Sequence, residues 1–451
     1  MKSLLIAPLV AASLLAPVGE SGAQSAAATA PQADSAQKAR AAYRRAIAAY
    51  RQRDIPAARA AMSEAAESWP TQPVYLENAA GLAALARDTA SVIAWVNRLA
   101  DLGVGSDVTN DTTYRAFVGV PGFEAAARRL ASAVAPAPRS SVRLSVADSM
   151  MHPEGVAYDA KTGRWFIGSV RQRRVVVADR SGHSRDFVAP AADGIGGVFG
   201  MAVDAERRTL WVATTSLPRM DGFTASDSGR VGVYGYDLDS GKLVTRVWAP
   251  RNSSGGHTFG DVTVAPNGDV YASDSQSPWL YVLRVGSDSL VRFATHPLFR
   301  SLQGMAITPD GRMMFVADYS HGLLRVDLQS RSVEPLRVAR GVTALGIDGL
   351  YLKGGALVGV QNGISPMRIA RFCLDDAARE VRRVELLDRN PALADEPTLG
   401  AVVGDSLFYV ATSQWEKFDD SGKRAPNARL RPATLLGLSL DSANACKENR
   451  P

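Results

Sequence analysis

The chain reads as a mainly β protein, a six-bladed β-propeller preceded by a small α-helical domain. Three observations lead there. A strand–turn–strand motif recurs six times between residues 153 and 413. The copies stand 43 to 61 residues apart, which leaves room for four strands in each unit. Ahead of them, residues 39–134 carry apolar positions three and four apart, the spacing of helices rather than strands.

The first residues are expected to lie outside the fold. Lys2 gives a positive start, Leu4 to Leu15 is apolar, Pro17 and Gly19 break the run, and Ser21-Gly22-Ala23 supplies small residues. This is the pattern of a secretory signal peptide over residues 1–23, cut near Ala23. The expected location is periplasmic or secreted, with no stable membrane insertion. Residues 24–38, rich in Ala and Ser with Pro between, read as a disordered leader. A net charge of +6 over 451 residues, with the basic residues scattered, predicts no nucleic-acid partner. Cys373 and Cys446 permit one disulfide in an oxidising compartment, and the spacing leaves open whether they pair.

Residues 41–70 and 79–104 each show helical periodicity, and Arg53-Asp54 and Arg87-Asp88 mark bends 34 residues apart. Ala46, Ala58, Ala65 and Pro70 stand where a tetratricopeptide-like unit wants small residues and a terminating proline. The period and the small residues resemble tetratricopeptide repeats. The resemblance implies a surface for a protein or peptide partner; a helical bundle with no partner is the competing reading. Residues 114–134 add a capping helix, and 135–140 read as a linker.

The repeat occupies 141–441, followed by a polar tail, 442–451. Its copies open with "EGVAYD", "FGMAVD", "GDVTVA", "QGMAIT", "DGLYLK" and "LGAVV". Equivalent positions are Gly155, Gly200, Asp261, Gly304, Gly349 and Leu399. In a propeller these begin the innermost strands, where a missing side chain lets blades approach. "SVRLSVAD" (141–148) is spare and is expected to close the ring beside "ATLLGLSLD" (433–441). The residue before each inner strand and the end of each second strand share one face. That face collects Glu154, Gln303, Asp348, Asp274, Asp318, Asn362, Trp415 and the histidines His152, His257 and His321. An oxygen-rich mouth with carboxylates at its centre suits a hard cation such as calcium. The recurring aspartates Asp274 and Asp318 read as loop-pinning hydrogen bonders.

These repeats resemble the superfamily of senescence marker protein, gluconolactonase and strictosidine synthase-like propellers, with relatives among NHL repeats. The resemblance implies a divalent metal, often calcium, in the channel. Its ligands would be Glu154 from "EG", Gln303 where the family has Asn in "NG", and Asp348 from "DG". The family's substrate-binding "ND" of blade three is here Gly260-Asp261, so Asp261 is the candidate at that place, with Asn362 and Trp415 nearby. His152, His257 and His321 are the candidates for moving a proton. Glu154 has a competing reading as an acceptor for backbone N–H groups. Two functions therefore stand side by side: a metal-dependent hydrolase of a lactone or ester small molecule, and a non-catalytic binding or scaffold propeller. No phosphate loop, serine nucleophile motif or zinc spacing competes.

Overall fold

The computed structural model describes residues 31–250, 256–441 and 445–446. The expected signal peptide lies outside them, as does most of the polar tail. No helix among the described residues is long and apolar enough to cross a membrane. The chain divides into two compact units. One holds residues up to Pro136 with Arg337–Thr343 and Ile364–Pro366, and the other holds the remainder from Ala137.

The first unit contains α1 (Pro31–Arg51), α2 (Ile55–Ser68), α3 (Pro73–Leu85), α4 (Thr89–Leu102) and α5 (Pro121–Val134). Helix α1 starts inside the stretch expected to be a disordered leader. Proline fits a first helical turn, where its missing N–H has no partner to lose, and no breaker follows before Arg51. At both bends an arginine takes a left-handed conformation, Arg53 at φ 61° and Arg87 at φ 56°. The aspartate that follows caps the next helix. Asp54 accepts from the Ala57 N–H at 3.0 Å and Asp88 from the Ser91 N–H at 3.1 Å. Ala46, Ala58 and Ala65 are fully buried, so small side chains do set the helix spacing.

The second unit is a ring of six antiparallel sheets, five of four strands and one of five. The inner strands are Pro153–Asp159, Gly197–Asp204, Phe259–Val264, Leu302–Ile307, Ile347–Lys353 and Gly400–Val403. They touch in cyclic order, the sixth returning to the first, which makes this a six-bladed propeller. Closure follows the expected route. Ser141–Val146 pairs with Ala433–Ser439 as the outer strand of blade six, in the register Val146↔Ala433. Leu144 and Val146 of that strand are buried while Val142 is 51% exposed, the alternation of a strand with one face on the core.

The glycines at the inner strands have the expected cause. A Cβ on Gly155 would overlap the Phe199 carbonyl of blade two, and one on Gly304 would lie 2.5 Å from the Asp348 carbonyl of blade five. The same places carry β-bulges. Pairing slips between Pro153 and Val156, Val198 and Met201, Phe259 and Asp261, Leu302 and Met305, and Ile347 and Leu350. A bulge re-aims side chains at the end of a ladder. Here it gives Glu154, Asp261, Gln303 and Asp348 directions that strict alternation would not.

Cys373 and Cys446 form a disulfide, Cα–Cα 5.2 Å, spanning 73 residues of sequence. Blade-five packing brings the tail back beside Cys373, where the Cys446 N–H donates to Glu385 at 3.0 Å. Sequence distance gave no hint of that return.

Candidate functional site in the channel

Glu154 and Asp348 are both buried, 7% and 8% exposed. Burial first, and then the negative charges of Asp348 and Glu396, push the Glu154 carboxyl well above the usual carboxylate range. Burial pushes Asp348 up to about 6, against the hydrogen bond that Asn362 Nδ2 donates to its Oδ2 at 2.8 Å. Glu396 is raised to about 8 by burial and then by Asp348. Asp261 is raised to about 7, again chiefly by burial. Among the described residues none of these four carboxyls has a Lys or Arg ion-pair partner; the ion pairs of the propeller lie elsewhere. Burying such charge without a partner is expensive, so each group either keeps its proton or answers a cation.

Of the residues expected to act together, Glu154, Asp348 and Asn362 are joined by charge and hydrogen bonding. Asn362 also leaves its Oδ1 buried with no partner, and Glu396 leaves Oε2 so. Gln303 is held differently. Its Oε1 accepts from the Ser275 hydroxyl at 3.4 Å and its Nε2 donates to Ser301 at 3.3 Å. Asp261, expected near a substrate, is wedged between blades. Its carboxylate accepts from the N–H of Val262 at 2.8 Å and from that of Met305 in blade four at 3.3 Å. Its Oδ1 also fills the space where a Gly200 side chain would sit.

The histidines separate. His257 Nδ1 lies 2.5 Å from Asp274 Oδ2, and His321 Nδ1 lies 3.1 Å from Asp318 Oδ1. Both aspartates pin loops as expected. Asp274 accepts from the backbone of Thr258, Gln276 and Ser277, and Asp318 from that of Arg300, Ser301, Ser320 and His321. His152 stands nearest the carboxylates in sequence and is 1% exposed. Burial, then the charges of Arg219 and Arg171, lower it to about 3, so it is neutral, and its Nε2 has no partner.

Trp415 reaches the site from blade six. Its Nε1–H donates to Glu154 Oε2 at 2.7 Å, across 261 residues. Its ring meets His152 edge-on at 4.4 Å between centroids, and Phe418 stacks on the other side of His152 at 5.5 Å. Tyr351 is a part of the channel that sequence reasoning missed. Its hydroxyl accepts from the Gly400 N–H, and burial followed by the charges of Asp261 and Asp348 raises its pKa. Its place two residues after Gly349, on the channel side of the bulge, was the available signal.

The donor chemistry fits a hard divalent cation: oxygen only, two buried carboxylates of which Asp348 raises the pKa of Glu154, and an orphaned amide oxygen on Asn362 beside Asp348. The fit is loose. Among the described residues the only three His, Cys, Asp or Glu ligand atoms within 4.8 Å of one another are those of Cys373, Glu385 and Cys446, whose sulfurs are spent in the disulfide. A cation here would rest on the Glu154–Asp348 pair and on neutral oxygens.

No family model and no curated protein matches the chain. Among solved structures it is similar to a putative gluconolactonase (15% identity, TM-score 0.44, covering 66% of this chain and 92% of that one). It is similar in the same degree to a gluconolactonase of Xanthomonas campestris (15%, 0.44, 68% and 95%). A third is a calcium-binding protein, regucalcin, of Agrobacterium tumefaciens (16%, 0.44, 67% and 93%). The assignment as a propeller stands on the closed ring of strands itself.

Proposed function

We propose that the propeller binds a divalent cation, calcium in the first instance, between Glu154 and Asp348, and with it hydrolyses a lactone or related ester. The observation that carries this is the set of buried carboxyls at one channel mouth with, among the described residues, no cationic side chain paired to them. When bound, the cation would polarise a carbonyl and acidify a water. The chain's own residues supply the rest. Asn362 holds Asp348 in place through its amide. Glu396, raised to about 8, is a carboxyl able to hold or release a proton near neutral pH. His152 is a neutral imidazole beside Glu154.

A second reading, a non-catalytic binding propeller, is favoured by the Trp415 indole seated on Glu154. The helical unit would then offer its own surface to a protein or peptide. We place either form in an oxidising compartment outside the cytoplasm, which the Cys373–Cys446 disulfide supports.

Calcium titration with thermal unfolding separates these readings. A cation bound to the folded state alone stabilises it by about 2.7 kcal/mol at a hundredfold excess over Kd. Wild type is expected to gain stability with calcium and lose it to chelator. Glu154→Gln is expected to fold and show no response. An unresponsive wild type would leave the binding propeller as the reading.

A further inference from the structure

Residues 411–432 join the second strand of blade six to its third, and Trp415 within them reaches Glu154 and His152 at the channel mouth. The two ends of this segment are stitched together by Gln414. Its Oε1 accepts from the Arg431 N–H at 2.8 Å, and its Nε2 donates to the carbonyls of Arg431 at 3.2 Å and Ser149 at 3.3 Å. The body of the segment is fastened from other blades by two arginines. Arg219 of blade two donates to the carbonyls of Trp415 at 2.8 Å and Phe418 at 2.9 Å, and to the Asp420 carboxylate at 2.8 Å. Its guanidinium also lies over the Trp415 ring at 5.1 Å. Arg171 of blade one donates to the Gly422 carbonyl and lies over Phe418 at 5.2 Å. None of these fastenings belongs to a β-ladder.

Under it lie Glu154 and His152, both buried. The Trp415 N–H presents the positive end of a dipole to the very carboxylate that the proposed cation would use.

We propose that residues 411–432 form an occluding cap in which the Trp415 indole N–H stands in for the cation on Glu154, so that cap closure and cation binding compete. This rests on the reading of Glu154 as a cation ligand and adds its regulation. In the closed state the carboxylate is hydrogen-bonded and hidden; in the open state Glu154 and the unpartnered Nε2 of His152 face the same solvent. The clamp is ionic at Asp420, which is 94% exposed, so salt is expected to favour opening.

Calorimetric titration of calcium into the full chain, followed in parallel by tryptophan emission, tests it. Losing the Trp415 hydrogen bond to this buried carboxyl removes the competitor and is expected to tighten calcium binding about tenfold. Trp415→Phe keeps the ring and removes the donor, while Arg219→Ala loosens the clamp without touching Glu154. Both are expected to bind calcium more tightly than wild type. Wild-type emission is expected to shift to longer wavelength as calcium binds, and Trp415→Phe to lack that shift. Equal affinity in wild type and both variants, with no emission change, overturns the cap and leaves the cation site standing. Calcium binding by none of the three overturns both.

Discussion

At the scale of single residues, the channel poses an electrostatic question that pH answers. Asp348, Asp261 and Glu396 are raised to about 6, 7 and 8 in the folded state, each above its ordinary value. A carboxyl with a raised folded pKa contributes stability that is complete below its unfolded pKa and is lost as pH climbs through the folded one. His152, lowered from 6.5 to about 3, works the other way, costing stability only as pH falls below 6.5. Above pH 6.5 the carboxyls therefore act alone. With chelator present, stability measured by urea unfolding is expected to drop by about 3 kcal/mol between pH 6.5 and 8.5. With calcium the drop is expected to shrink, because the cation holds the carboxylates ionised. A flat profile would mean these groups are better solvated than their burial implies. Glu154→Gln adds the complementary check, since it removes the calcium response while the strand around it stays intact.

At the scale of elements, the inner strands combine two devices, a glycine that admits the next blade and a bulge that turns the neighbouring side chain. Gly155 is the clearest instance, because a methyl there meets backbone, the Phe199 carbonyl, rather than a side chain able to swing away. Gly155→Ala is expected to cost about 2–4 kcal/mol in urea unfolding. The cost arises between blades one and two, and blade-internal hydrogen bonds are unaffected. The recurring carboxylates divide by the same geometry. Those ending second strands, Asp274 and Asp318, turn back onto their own loops. Those at the bulges of inner strands, Glu154 and Asp348, accept instead from the side chains of Trp415 and Asn362 and form the candidate site.

At the scale of the whole molecule, the ring is closed by one strand and braced by a disulfide. The closing strand is Ser141–Val146 on blade six, whose inward face is Leu144 and Val146. Leu144→Asp is expected to lower stability by about 3 kcal/mol or more, through a buried unpaired charge, and Val142→Asp to leave it nearly unchanged. Comparable effects from the two variants would deny that strand its role. The brace is covalent and ties blade five to the tail that follows blade six. The disulfide bridges 73 residues, a span that contains all of the blade-six strands drawn from the carboxyl-terminal side. By the chain-entropy account a loop of that length contributes about 4 kcal/mol. Reduction, or Cys373→Ser, is expected to lower Tm by several degrees without abolishing the fold, since the strand closure remains.

The primary structure alone carried the architecture. Six copies of one hairpin, their glycines and a spare strand ahead of the first copy determine a ring, because periodicity is local and a repeated unit has few ways to bury its faces. It also carried the bends of the helical unit, where Arg-Asp pairs supply a left-handed residue and then a cap. It placed Glu154, Asp348 and Asn362 at one mouth by register. What only the tertiary structure decided is the state of those residues. The Trp415 contact with Glu154, the inter-blade wedging of Asp261, the seating of Gln303 against Ser275, the hidden His152 and the pairing of Cys373 with Cys446 all join residues from different strands, loops or blades. The helix that begins at Pro31 rather than at Ala39 is a smaller departure, with a proline in its first turn. Pattern in a chain records which face a residue takes; which partner waits on that face is set by the closing of the ring, and burial by that closing is what moves the carboxyls from their ordinary chemistry.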